Sequence, residues 1–179
     1  MNYAVIMAGG TGKRLWPLSR QKRPKQMLKL LDGQTLLGRC FERLVPVFDA
    51  RNILVLTNAG YVDLVRENLP DLPFNNVIAE PVVRDTASAI GLAATVLAQY
   101  DPEAVMALLT ADQLIEPPEV LQQALTDAFT FIAQQPEALI TFGIKPTFPS
   151  TQLGYIKVAD PRQCPRCRNT VYSVEAFRE

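Results

Sequence analysis

The chain has 179 residues, with 18 Lys and Arg balanced by 18 Asp and Glu and no His at all. At 48% hydrophobic and 20% charged it is long enough and apolar enough for a proper core, and its zero net charge gives no global pull toward nucleic acid or membrane. The missing His excludes Ser-His-Asp and Cys-His catalysis, and no apolar run approaches the roughly 18 residues that span a bilayer.

The first element in chain order is a short apolar run, Tyr3-Ala4-Val5-Ile6-Met7-Ala8, which reads as a strand buried on both faces. It ends in Gly9-Gly10-Thr11-Gly12. Three glycines in four residues let the backbone bend tightly and bring its N–H groups to an anion with no Cβ in the way. Lys13, Arg14, Arg20, Lys22, Arg23, Lys25 and Lys29 come next, and no Asp or Glu occurs before Asp32. A glycine turn with concentrated positive charge at a strand's carboxyl end predicts a phosphate site. The alternative is a tight turn beside a solvated basic patch. A P-loop is eliminated, because Met7 stands where its first Gly is required and Arg14 follows Lys13. The dinucleotide fingerprint is eliminated by Leu15 at its last position. Pro17 and Pro24 interrupt the basic stretch, so its residues are expected on an extended loop covering a ligand.

Residues 35–48 predict an amphipathic helix, with Leu36, Leu37, Cys40, Phe41, Leu44 and Val45 at helical spacing. Residues 52–57 predict a second buried strand, and Tyr61, Leu64, Val65 and Leu69 mark the helix after it. A third strand is expected at 76–79, a helix at 86–100 with Ala87, Ile90, Ala94 and Leu97 on its core face, and a fourth strand at 105–109. A helix at 117–134 and a strand at 138–142 complete the alternation. Strand–helix repetition of this kind predicts an α/β fold, a doubly wound and mostly parallel Rossmann-like sheet with ligands beyond the strands' carboxyl ends. Past Gly143 prolines punctuate the chain, and two strands at 154–158 and 170–177 are expected as a hairpin. The expected division is therefore an α/β core at 1–143 and a separate part at 144–179. Cys164 and Cys167 have the spacing of half a zinc knuckle but lack the other two ligands. They and Cys40 are expected to be inert thiols. The N-terminus lacks the pattern of a signal peptide, so a cytoplasmic location is expected.

Three further stretches carry candidate chemistry. Asp112 ends the fourth strand, where a carboxylate can hold Mg²⁺ against phosphates or merely cap a turn. Glu80-Pro81-Val82-Val83-Arg84-Asp85-Thr86-Ala87 follows the third strand and could present N–H groups to a ligand or be a helix cap and no more. Gly154 could serve a ligand or allow two strands to approach closely.

The string AGGTGKRLWPLSR with Pro24-Lys25-Gln26 closely resembles the N-terminal signature of the sugar-phosphate nucleotidylyltransferases. Within them it is most similar to the branch that guanylylates mannose 1-phosphate. The resemblance implies the nucleotide-diphospho-sugar transferase fold and a transfer of GMP from GTP to mannose 1-phosphate, giving GDP-mannose and pyrophosphate with Mg²⁺ as cofactor. Ala8, Gly9, Gly10, Thr11, Gly12 and Lys13 would then hold the nucleotide's phosphates, with Arg14 and Lys25 catalytic and Asp112 on the metal. Glu80, Asp85, Thr86 and Ala87 would meet the nucleotide's base side, and Gly143, Thr151, Gly154 and Glu179 the sugar, which would make 1–143 the nucleotide-binding core and 144–179 the incomplete start of the sugar-binding part of the same domain. Departures from the family pattern are Lys13 for Thr, Asp85 for Asn, Thr110 for Pro, Gln113 for His, Ser150 for an acid and Leu153 for an aromatic. Related enzymes continue with Lys-Pro after this Glu and supply a second metal Asp from a later segment. The resemblance thus implies a C-terminally truncated domain with little turnover of its own and an exposed sheet edge favouring a homodimer. The alternatives are a nucleotidylyltransferase for another base or sugar, or a non-catalytic nucleotide-sugar binding module.

Overall fold

The computed structural model describes every residue except Thr11, Lys13, Arg14, Gln21, Lys22, Leu31, Val83 and Glu179. The chain divides by packing into two compact units, Met1–Pro118 and Glu119–Glu179. That division falls inside the stretch expected as one core. In the first unit β1 (Asn2–Met7), β2 (Ile53–Asn58), β3 (Val77–Glu80) and β4 (Val105–Thr110) form one sheet in the order β3-β2-β1-β4. All three ladders are parallel, as the alternation with α1 (Leu36–Leu44), α2 (Val62–Asn68) and α3 (Thr86–Tyr100) requires. Chain order reverses direction at β1, which lies between β2 and β4. The carboxyl end of β1 is therefore the topological switch point, where α/β sheets leave a crevice.

β1 is the centre of the core because its middle is apolar on both faces. Val5 packs with Leu54, Leu56, Ala89, Ala93 and Leu97 on one side. Ala4 and Ile6 alternate to the other face and are likewise 0% exposed. Thr35 starts α1 by accepting the Gly38 N–H at 2.9 Å, and its hydroxyl donates to Asn68 Oδ1 at 2.6 Å. The predicted helix at 35–48 ends earlier, at Leu44, with Pro46 close behind; Val45 is the C-cap and exposed.

Two expectations are corrected. The core face of α3 is Ala89, Ala93 and Leu97, whereas Ala87, Ile90 and Ala94 are exposed. The helix is rich in alanine on all sides, so its sequence pattern points weakly in any direction and packing against Val5, Leu54 and Leu56 chooses the face. Residues 138–142 are irregular, with Leu139 fully exposed, instead of a strand. A strand requires a ladder partner. Among the described residues of the second unit the only ladder joins β5 (Tyr155–Arg162) to β6 (Val171–Arg178), the antiparallel hairpin expected from the sequence.

In that second unit α4 (Pro118–Ile132) presents Asp127 to the hairpin's connecting loop. Its carboxylate accepts from Asn169 N at 2.8 Å, Asn169 Nδ2 at 2.7 Å, Arg168 N at 3.1 Å and Gln123 Nε2 at 2.9 Å. In the same loop Cys164 and Cys167 are joined in a disulfide, which replaces the expectation of two free thiols. Cys40, in the first unit, is a free, buried cysteine whose thiol is pushed up by that burial. No helix among the described residues is long and apolar enough to cross a membrane.

Burial raises the Asp127 carboxyl, but its N–H donors outweigh that and leave it below its ordinary 3.8. A carboxylate with a lowered folded pKa stabilises above its unfolded value and loses that contribution as pH falls through the folded one. Asp127→Ala should therefore cost about 1 kcal/mol at neutral pH, since four part-buried N–H donors lose their acceptor. The difference from wild type should shrink in thermal melts taken below about pH 4.

Candidate nucleotide site

The β1 ladder runs one residue beyond the strand on each side. Ala8 N donates to Leu56 O at 2.8 Å and Ala111 N donates to Met7 O at 3.2 Å. Gly9 therefore leaves the sheet between the carboxyl ends of β2 and β4. A Cβ built on Gly9 would lie 2.6 Å from Glu80 Oε1, so the last residue of β3 reaches the start of the glycine turn. Gly12 has φ +65°, and a Cβ there would stand 2.6 Å from Lys25 Cβ and 3.2 Å from Lys25 N. Glycine is required at 12 twice over, by backbone conformation and by close approach. Lys25 opens a short 3-10 turn, Lys25–Met27. Its Nζ lies 2.6 Å from Asp112 Oδ2, across 87 residues of sequence. Glu80, Gly9, Gly12, Lys25 and Asp112 thus form one continuous row at the carboxyl ends of the strands.

The expected turn is held from beneath by uncharged side chains. Ser19 is buried and its hydroxyl donates to Gly12 O at 2.5 Å. Gln26 is buried and its Nε2 donates to Ala8 O, which also accepts from Thr57 Oγ1 at 3.0 Å. Arg20 and Arg23 exchange backbone hydrogen bonds at 2.9 and 2.8 Å, which pairs these two cationic residues' backbones. The turn after β4 is fastened to α1. Cys40 Sγ lies 3.8 Å from Thr110 O, Arg43 Nη1 donates to Gln113 O at 3.3 Å, and Arg39 pairs with Glu116 at 3.2 Å. Arg43 grips a backbone carbonyl, so this fastening does not depend on which side chain residue 113 carries. Ser19 and Gln26 both lie within the sequence strings that carry the family resemblance, whereas Thr57 and Arg43 read as ordinary strand and helix positions.

The electrostatics separate the two carboxylates. Burial raises Asp112, but the Lys25 ammonium and the neighbouring Thr110 side chain favour its charged form, and the net shift is downward. Glu80, 7% exposed, is raised by burial, with no hydrogen bond to its carboxylate among the described residues. It lines a cleft of about 260 Å³ with Pro81, Val82, Arg84, Ser88 and Leu92. Asp85, Thr86 and Ala87 are exposed at the start of α3 and do not line it, whereas Arg84 and Ser88 do. α3 starts at Thr86, as expected, with Asp85 at the N-cap position making no side-chain capping bond. A larger cleft, about 460 Å³, opens at the other end of β3, between Arg66 and Phe74, away from all these groups.

Thr11, Lys13, Arg14 and Glu179 lie outside the described residues. Gly143, Thr151 and Gly154 belong to the second unit and are exposed. There Tyr155 closes the turn at 150–155, its hydroxyl accepting from Ser150 N at 2.7 Å and donating to Ser150 O at 2.9 Å. A Cβ on Gly154 would meet Arg178 O only at 3.9 Å, an ordinary contact, so strand approach does not demand glycine there.

A parallel sheet with a glycine turn, a lysine and an ionised carboxylate at its switch point defines a class of nucleotide-handling α/β domain. The chain belongs to the nucleotidyl transferase family, whose model matches residues 3–179. Over 177 residues it is 40% identical to a mannose-1-phosphate guanylyltransferase of Salmonella muenchen, covering 97% of this chain and 35% of the relative. A crystal structure titled mannose-1-phosphate geranyltransferase, from Thermus thermophilus, superposes with a TM-score of 0.81 at 34% identity. That match covers 98% of this chain and 49% of the other. The crystal structure of mannose-6-phosphate isomerase from Helicobacter pylori shares the fold, with a TM-score of 0.71 at 24% identity over 98% of this chain and 59% of that one. The chain spans about a third of the length of the curated relatives it matches.

Gly10 and Gly12 make different demands. Gly12→Ala should cost about 1–2 kcal/mol in urea melts, because residue 12 is left-handed and the new Cβ must displace the backbone and stem of Lys25. Gly10→Ala should change stability by no more than about 0.5 kcal/mol, since its Cβ would meet nothing within 4 Å among the described residues.

Proposed function

We propose that this chain is the nucleotide-handling part of an enzyme that transfers GMP from GTP to mannose 1-phosphate. The observation that carries the reading is the row from Glu80 through Gly9 and Gly12 to Lys25 and Asp112, with a base-sized cleft at one end and the charged pair at the other. The names of the relatives support the choice of substrates.

In this reading the base enters the cleft beside Glu80. A carboxylate there can accept both the N1–H and the N2–H₂ of guanine, and adenine offers no such pair. The absence of a hydrogen bond to Glu80 among the described residues suits a group reserved for a ligand, and bound guanine would relieve the cost of burying its charge. The glycine turn receives the triphosphate, with Arg14 on the departing pyrophosphate. A phosphate oxygen of the sugar phosphate attacks the α-phosphorus of GTP in line, forming one P–O bond as the bond to the pyrophosphate oxygen breaks. No covalent intermediate on the protein is needed, so the chain's contribution is alignment and charge neutralisation. Lys25 exchanges its contact with Asp112 for the α-phosphoryl oxygens, on which charge accumulates.

Asp112 fits a divalent cation because it is ionised, half exposed and at a strand's carboxyl end. The described residues contain no cluster of three such ligands, so it would be one ligand among phosphate oxygens. Mg²⁺ held there would supply positive charge to offset that of the phosphates. Water-soluble substrates of this kind fit a cytoplasmic enzyme.

Lys25→Ala and Arg14→Ala should each lower kcat by about 100-fold or more with the fold intact, measured as pyrophosphate release by the gene product as the cell makes it. Wild-type turnover in either variant would remove that residue from the mechanism. Glu80→Gln should narrow the preference for GTP over ATP, because an amide cannot accept both guanine protons as a carboxylate does. Unchanged competition between the two nucleotides would leave Glu80 a structural residue only.

A further inference from the structure

We infer that Gln26 and Thr57 are positioning residues that aim the Gly9 N–H at the phosphates. The inference rests on the phosphate-site reading of the glycine turn proposed above and adds how that turn is oriented.

One carbonyl is the pivot. Ala8 O accepts two side-chain hydrogen bonds, from Gln26 Nε2 and from Thr57 Oγ1. Both donors are buried, Gln26 at 3% and Thr57 at 0% exposure. They come from different places, Thr57 from β2 and Gln26 from the turn that carries Lys25. Two buried donors on one acceptor are a fixed arrangement, since each would lose a partner if the carbonyl turned away.

The Ala8–Gly9 peptide is trans. In a trans peptide the C=O and the following N–H point in opposite directions within one rigid plane. Holding Ala8 O toward Gln26 and Thr57 therefore holds the Gly9 N–H facing the other way. Among the described residues no acceptor bonds to that N–H. Without the two donors, the glycine next in the chain would let this peptide plane rotate freely. The carbonyl could then swing toward the anion, replacing an attractive dipole with a repulsive one.

Gln26 has a second effect through its neighbour. Lys25 precedes it in the same turn and packs against Gly12, so anchoring Gln26 to the end of β1 also sets the height at which Lys25 meets Asp112. The buried amide thus ties the glycine turn and the lysine to one point of the sheet. Neither residue touches the reacting atoms; both act through the backbone they hold.

The test uses inorganic pyrophosphate as the probe, so that base and sugar play no part. Thr57→Val keeps shape and removes only the hydroxyl, and Gln26→Met keeps length and removes only the donor. Calorimetry should show pyrophosphate binding about tenfold weaker in each variant. In ¹⁵N-labelled wild-type protein the Gly9 amide proton should move downfield as pyrophosphate is added, and this movement should shrink in both variants. Thr57→Val alone decides the matter if Gln26→Met fails to fold. A folded Thr57→Val protein with wild-type affinity and an unchanged Gly9 response would overturn the positioning role while leaving the phosphate site standing. Wild-type protein that binds no pyrophosphate would instead remove the phosphate-site reading itself, and this inference with it.

Discussion

The space above Gly12 is already taken by the stem of Lys25, and the arrangement of the whole site depends on that contact. A side chain at 12 would collide with Lys25 at 2.6 Å, so the glycine turn and the lysine turn pack backbone against backbone. Only in this packing does the Lys25 ammonium arrive at Asp112. The ion pair itself is half exposed, and such pairs contribute no more than about 1 kcal/mol. It does not hold the fold together. The two turns are kept in place by the apolar sheet beneath and by the buried Ser19, Gln26 and Thr57 donors that fasten the carbonyls of Gly12 and Ala8.

The sheet order explains why these groups meet. With β1 between β2 and β4, the chain leaves the sheet at Gly9 where the neighbouring connections diverge to opposite sides. Glu80 ends β3 and Asp112 follows β4, so parallel pairing brings both carboxylates to the same edge as the glycines. An antiparallel neighbour would have sent one of them to the opposite edge. The two acids then diverge in character. Asp112 has a cation beside it and is favoured in its charged form, whereas Glu80 has burial alone and is raised. In the proposed function the first is the metal ligand and the second the acceptor for the nucleotide's base.

Local patterning was sufficient for much of this. The both-face apolar run at 3–8, the three glycines after it and the uncompensated basic stretch are features of neighbouring residues, and each drew attention to the carboxyl end of β1 from sequence alone. The strand–helix alternation, the hairpin at β5 and β6, and the placement of Asp112 after a strand were legible for the same reason. A hydrophobic period or a turn residue acts within a few positions, and the chain carries it in plain view.

Contacts between distant residues were set by tertiary packing. The 87 residues between Lys25 and Asp112 contain no signal that the two will pair. Nothing near Thr57 says that its hydroxyl will reach Ala8, because a threonine in a buried strand looks the same whether or not it holds a functional loop. The alanine-rich α3 turned a different face inward than its weak pattern indicated, since small residues leave the choice to whatever they pack against. Residues 138–142 kept an apolar pattern without a strand, because a ladder needs a second strand and a sequence describes only one. Short-range pattern in the chain settled nearly all of the elements and where charge concentrates. Sheet order, which depends on all of the core packing at once, settled which of those elements touch.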